Sequence, residues 1–163
     1  MLKYVNLTCA MTLSAFALSA QSVPVSQTVQ TTGMVGIADA QTAQLNLLNP
    51  GVLAPALGVI CTTAVSFVDS TGTVLKSATL VVPPGKSMSL SLRSDTDLNL
   101  AAGDRREIRA TITIPPMFPP TAIVSAPSCT LIPTLEMLDT ASGRTLVVLG
   151  RVETVPSVVA TPQ

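Results

Sequence analysis

The chain has 163 residues, of which nine are basic and nine are acidic, and it contains no histidine. Hydrophobic residues make up 47% of it, whereas aromatic residues make up only 2%. This composition argues against a basic nucleic-acid-binding surface with stacking aromatics, and it removes the histidine on which most hydrolases and many metal sites depend.

The chain opens with the pattern of a secretory signal peptide over residues 1–20. Lys3 precedes an apolar stretch at 7–18, and small residues follow up to Ala20. The stretch is shorter than the roughly 20 residues of a membrane-spanning helix, so we predict cleavage after Ala20 rather than an uncleaved anchor. Two slightly earlier cleavage positions would also suit. The mature protein is expected to be secreted or periplasmic, without a membrane span.

The cysteines indicate one disulfide in the mature chain. Removal of the signal peptide takes Cys9 with it and leaves Cys61 and Cys129 as an even pair in an oxidising compartment. We predict that these two form a structural disulfide. A metal or redox pair would require close spacing such as C-x-x-C, or histidine ligands, and the chain has neither. No catalytic residue, cofactor-binding residue or metal ligand is predicted.

Apolar residues recur at every second position along most of the remaining chain, which is the pattern of β-strands. Residues 21–27 are expected to form a flexible leader, 28–153 one domain and 154–163 a C-terminal tail. The predicted strands lie near residues 29–37, 43–49, 59–69, 73–82, 87–93, 106–114, 129–138 and 145–152. Seven to eight short strands separated by regular turns predict an all-β fold, an immunoglobulin-like antiparallel β-sandwich with one disulfide.

The first strand region has apolar residues at alternate positions, among them Val29, Val35 and Ile37, and it is interrupted at Gly33. We expect an ordinary edge strand here. The alternative is donation of this strand to a neighbouring subunit, as in β-strand addition.

An internal repeat surrounds the two cysteines of the mature chain. Its members are Cys61, Asp69, Gly72 and Leu75 in the first half, and Cys129, Asp139, Gly143 and Leu146 in the second. Each half is expected to consist of a long strand, an aspartate-initiated turn and a return strand. We predict that both aspartates cap their own turns and that the cysteines occupy matching inward positions.

The order of these features resembles small uncharacterised secreted bacterial proteins with an immunoglobulin-like sandwich. The resemblance rests on Asn49-Pro50-Gly51, on Cys61 before Ser66-Phe67-Val68-Asp69, and on Cys129 before Pro133-Thr134-Leu135-Glu136. It covers most of residues 28–152 and implies architecture without an activity. The chain departs from antibody domains because it has no tryptophan and its mature part has no tyrosine.

Two polar patterns partly match a calcium loop and a lysine-activated hydroxyl, but neither match is complete. Residues 95–99 begin like a calcium loop, but Leu100 stands where glycine is needed and Arg106 where the bidentate acid is needed, so we predict a solvated turn. A lysine-activated hydroxyl would require Thr73 and Lys76 on one face, and their odd spacing puts them on opposite faces of a strand. A hydrolase is therefore the least favoured of the function classes considered.

A proline-rich segment from Pro115 to Pro127 joins two predicted strands and is long for a compact domain. Loops of this kind often carry function. Met117, Phe118 and Ile123 are the candidate partner contacts; the alternative is that these side chains fold back over an open end of the sandwich.

These patterns together predict a secreted, non-enzymatic binding or adhesion-type module with an unknown protein or surface partner. The alternative is a structural subunit of an extracellular assembly or filament that self-associates by strand-edge addition. No cofactor and no nucleic-acid partner are expected.

Overall fold

The computed structural model describes residues 25–51, 59–115, 129–150 and 152–159. Within these ranges there is no helix, and hence none that could cross a membrane. The strands are β1 (Val25–Thr32), β2 (Val35–Ala38), β3 (Gln41–Leu48), β4 (Cys61–Asp69), β5 (Val74–Val82), β6 (Ser87–Arg93), β7 (Arg105–Ile114), β8 (Ile132–Asp139), β9 (Thr145–Leu149) and β10 (Val152–Val159). The predicted signal peptide lies outside the described residues.

The strands form two antiparallel sheets. Sheet A has the order β10-β1-β7-β4-β5, and β2 also pairs with β7. Sheet B has the order β6-β3-β8-β9. The predicted all-β antiparallel sandwich with one disulfide is therefore confirmed, although the described residues form ten strands rather than seven or eight.

The core lies between the sheets because each strand turns every second residue inwards. On β7 the inward residues Ile108 and Ile112 are completely buried, and on β4 the predicted core residue Phe67 is buried as well. On β6 the predicted inward face includes Leu92, which is buried, and Met88, which is 43% exposed. Met88 is exposed because it lies near the end of a strand at the side of sheet B.

The disulfide joins Cys61 to Cys129 with a Cα–Cα distance of 5.5 Å and a sequence separation of 68 residues. Cys61 begins β4 in sheet A, whereas Cys129 precedes β8 of sheet B, so the bond connects the two sheets. The prediction of this bond is confirmed. The predicted strand from residue 129 is wrong at its start, because pairing of β8 with β3 begins at Ile132 opposite Leu48.

The two hairpins around the repeat match each other. Asp69 Oδ1 accepts hydrogen bonds from the Thr71 and Thr73 N–H groups, each at 2.9 Å, and Asp139 Oδ1 accepts one from Ser142 N–H at 2.7 Å. Both aspartates therefore cap their turns, as predicted. Each return strand also carries one extra residue in a β-bulge, opposite Phe67/Val68 in the first hairpin and Met137/Leu138 in the second.

The first predicted strand is divided into β1 and β2. Odd-numbered side chains lie on the outer face of sheet A in β1 and on its inner face in β2. Thr28 in β1 lies opposite Ile114, whereas Val35 in β2 lies opposite Ile108, so the register shifts by one residue at Gly33-Met34. As a result Ile37 is buried in the core, whereas Val29 lies on the outer face opposite Thr113. The single strand predicted over residues 29–37 is therefore two strands, and the division falls at the predicted interruption, Gly33.

Both ends of the described domain extend beyond the predicted limits. β1 begins at Val25, inside the predicted leader, and β10 continues to Val159, inside the predicted tail. β10 is paired with β1 over its whole length. Among the described strands only β1 pairs with β10, which places β10 at the side of sheet A, a position where Pro156 is tolerated because one row of backbone groups needs no partner from the sheet.

Candidate functional site

The carboxylates in the acidic turn after β6 form ion pairs with lysine and arginine side chains of the same chain. Asp97 Oδ2 accepts hydrogen bonds from Lys76 Nζ and from the Arg93 N–H, both at 2.7 Å, and Asp95 pairs with the Arg93 guanidinium. Burial acts to raise the pKa of Asp97, but these donors outweigh it and hold the pKa below its ordinary value. Among the described residues no group of three or more possible ligands could hold a metal ion.

Lys76 pairs with a carboxylate. Its Nζ atom donates a hydrogen bond to Asp97 Oδ2 at 2.7 Å. The hydroxyl of Thr73 lies 3.0 Å from the hydroxyl of Thr71, within the turn capped by Asp69. Lys76 and Thr73 thus contact different partners.

A groove at one side of the sandwich is the first feature suited to binding. It has a volume of about 380 Å³. We call it the lateral groove, and its lining residues are Thr31, Thr32, Gly33, Met34, Val148, Leu149 and Gly150. The division between β1 and β2 forms one wall and the end of β9 forms the other. Met34 is 44% exposed and Val148 is 55% exposed, so both walls offer apolar surface.

β9 borders this groove and is exposed on both of its faces. Leu146, Val147 and Val148 are 51%, 43% and 55% exposed. β9 pairs with β8 alone and stands at the end of sheet B, so the backbone groups on its other side have no strand partner among the described residues. We call this strand side, with its three exposed apolar side chains, the β9 edge.

The β9 edge lacks the protection found in β5, β6 and β10, the strands at the other ends of the two sheet orders. Natural sheet ends are commonly protected by charged residues or proline, which hinder pairing with another chain. β10 contains Glu153 and Pro156, β5 contains Lys76, and β6 ends at Arg93. β9 contains no charged residue and no proline. It is therefore the sheet end best suited to accept an added strand.

The two hairpins differ in how far their return strands, β5 and β9, are covered by the rest of the protein. The bulges place one extra residue in each return strand, Leu75 in β5 and Leu146 in β9. Leu75 packs against the core, whereas Leu146 is half exposed. The same local structure thus has its leucine partly buried against the core in one hairpin and half exposed in the other.

A second depression lies on the outer face of sheet A and also measures about 380 Å³. Its lining consists of small, uncharged side chains, namely Ala64, Val65, Ser66, Val74, Ser77, Ala78, Thr79 and Thr113. A ligand site usually combines apolar walls with a few convergent polar groups of defined direction. This depression lies over β4, which is paired on both sides, whereas the lateral groove borders the β9 edge, so the depression is the weaker candidate for strand addition.

The contact residues predicted from the sequence, Met117, Phe118 and Ile123, lie outside the described residues. The sequence predicts an ordinary strand over residues 145–152 and does not reveal the β9 edge. An uninterrupted apolar run such as Leu146 to Leu149 is typical of a strand buried on both faces. The sequence does show that this strand contains no charged residue and no proline. The structure adds that it has one strand partner among the described residues.

Comparison with protein-family models, with curated proteins and with solved structures finds no match to this chain.

Proposed function

We propose that the chain is an exported, non-enzymatic binding module of the immunoglobulin-like sandwich type that takes an extended segment of another polypeptide onto the β9 edge. The observation that carries the proposal is the exposure of three consecutive apolar residues, Leu146 to Val148, on an unprotected strand. The inter-sheet disulfide supports export because such bonds persist in oxidising compartments.

Strand addition suits the physical properties of this site. The backbone of an added strand would satisfy the free N–H and C=O groups of β9, and this part of the affinity does not depend on sequence. Specificity would come from the side chains of the added strand, some of which would contact the lateral groove and its apolar residues Met34 and Val148. The absence of histidine fits a protein that binds without catalysing a reaction.

The test is selection of binding peptides from a displayed random library on the purified, immobilised protein. We expect selected peptides that alternate apolar and polar residues, and we expect Val148→Lys to weaken their binding at least about tenfold because it places a charge in the new sheet. The matched control is Val81→Lys, since Val81 is 50% exposed on β5 of the other sheet. Peptides that respond to Val81→Lys and ignore Val148→Lys would overturn the proposal.

The second candidate function is that of a structural subunit in an extracellular assembly. An unprotected strand can pair with the corresponding strand of another copy as readily as with a foreign segment. Size-exclusion chromatography and negative-stain imaging of the purified protein distinguish the two. Discrete or extended oligomers support the subunit, and a persistent monomer at high concentration counts against it.

A further inference from the structure

Eight of the ten strands form two four-strand units with a similar arrangement. In the first unit, β3 to β6, the middle strands pair as a hairpin in sheet A and the outer strands lie in sheet B. In the second unit, β7 to β10, the middle strands pair as a hairpin in sheet B and the outer strands lie in sheet A. The units contact each other equivalently, since β4 pairs with β7 and β8 pairs with β3.

The two units differ in one pairing. β3 pairs directly with β6, whereas β7 and β10 are separated by β1. β1 pairs with β10 over eight residues and with β7 over four. We call the space between the facing sides of β7 and β10 the β1 slot. β1 is thus inserted between β7 and β10. Their counterparts in the first unit, β3 and β6, pair directly with each other.

β1 is held in the slot by its backbone rather than by core packing. Among its described side chains, Gln27 to Thr32, only Thr32 is buried, and none belongs to the hydrophobic core. The Oε1 atom of Gln30 is buried and has no hydrogen-bond donor among the described residues. A buried acceptor without a donor opposes folding. Removal of β1 would therefore take few apolar contacts from the core.

The chain is anchored immediately after β1. Ile37 in β2 is completely buried, so β2 would stay in place when β1 leaves. At the end of β1, Thr32 Oγ1 accepts a hydrogen bond from Ala110 N–H at 2.9 Å, and Thr31 Oγ1 donates one to the Ala110 carbonyl at 3.3 Å. These two hydroxyls bind the end of β1 to β7 next to the division between β1 and β2.

We infer that the β1 slot is a strand-acceptor site whose occupant is β1 of a second copy of this chain. The affinity would come from the two rows of backbone hydrogen bonds that β1 makes in its own slot, and the same sequence in the same slot reproduces all of them. The hinge is Gly33-Met34. This inference rests on the second candidate function, the assembling subunit, and it does not depend on the β9 edge.

The test measures uptake of a fluorescent synthetic peptide with the sequence of residues 25–32 by the purified protein. Locked protein carries Val29→Cys and Thr113→Cys, which are partners across β1 and β7 on the outer face, and oxidation ties β1 into its slot. Control protein carries Ala64→Cys and Thr79→Cys, which are partners across β4 and β5. Mass spectrometry first verifies each engineered disulfide and the native one.

We expect the unmodified and control proteins to take up the peptide and the locked protein to exclude it. A variant without engineered cysteines, Gln30→Val, should take up the peptide several-fold more slowly, because it removes the unpaired acceptor and holds β1 more firmly. Equal uptake by locked and control proteins, or no uptake by any of them, would overturn the inference. Val81→Lys, on the exposed side of β5, should leave uptake unchanged. Uptake of the peptide 25–32 and binding of library-selected peptides are separate measurements, so failure of this inference is distinguishable from failure of peptide binding at the β9 edge.

Discussion

Asn49 connects several segments by hydrogen bonds at the end of the sandwich near the disulfide. It is only 5% exposed, and its Nδ2 group donates to the carbonyls of Val59 at 2.8 Å and Val82 at 3.0 Å. Its backbone N–H donates to Lys86 O, and its carbonyl accepts from Gly85 N–H. One side chain and its own backbone thus join the end of β3 to the segment before β4 and to the β5–β6 turn.

Asn49→Ala should lower the free energy of unfolding by about 2 kcal/mol, because it removes the donor to two carbonyls at a buried position. Urea denaturation at constant m-value measures this effect. Asn46→Ala is the control: Asn46 lies on the outer face of β3 and accepts one hydrogen bond from Gln44. It should cost less than about 1 kcal/mol. Equal losses in the two variants would contradict the role given to Asn49.

At the level of the hairpins, the two turn aspartates link stability to pH. The Thr71 hydroxyl and two backbone N–H groups hold the pKa of Asp69 below its ordinary value, and the Ser142 hydroxyl and backbone N–H do the same for Asp139. Each ionised carboxylate therefore stabilises the folded state above its unfolded pKa, and this contribution is lost as pH falls through the folded pKa.

We expect the free energy of unfolding to change little between about pH 7 and pH 5 and to decline below about pH 4. The double variant Asp69→Asn with Asp139→Asn should show a shallower decline, because an amide keeps an acceptor oxygen without the titrating charge. Thermal melts across this pH range measure both slopes. Parallel curves for the two proteins would show that these carboxylates do not cause the acid dependence.

The elements differ in how far the sequence predicted them. The alternation of Ile108 and Ile112 with polar residues predicted β7 and its buried face, and the Asp-Gly pattern predicted both capped turns. The same rule failed at β1 and β2, because Val29, Val35 and Ile37 all fall on odd positions and the one-residue shift at Gly33-Met34 is not visible in that pattern. Local periodicity reports which side of a strand is apolar, and it does not report where a strand shifts its register.

The β9 edge was not predicted for a related reason. Hydropathy reports that Leu146 to Leu149 are apolar, but the exposure of these residues depends on how many strands lie beside them. That number follows from the order of strands in sheet B. The β1 slot likewise depends on strand order, since it is defined by comparison of two units whose sequences are only weakly similar.

For the molecule as a whole, the disulfide is the main covalent constraint between the two sheets. The loop of 68 residues that it closes corresponds to roughly 4 kcal/mol in the chain-entropy account. We expect Cys61→Ala with Cys129→Ala to lower the free energy of unfolding by about this amount in urea denaturation. Reductant should destabilise the unmodified protein similarly and leave the double variant unchanged. A loss below about 1 kcal/mol would contradict a clamping role.

We propose that the molecule as a whole binds an extended polypeptide at the β9 edge. Amide hydrogen exchange of the purified protein, with and without a peptide selected from the library, is the decisive measurement, because an added strand forms backbone hydrogen bonds on the side of β9 that has no strand partner among the described residues. Strand addition predicts new protection within Thr145–Leu149 and unchanged exchange in β5. Protection confined to β5 or β10, or no protection at any sheet end, would contradict it.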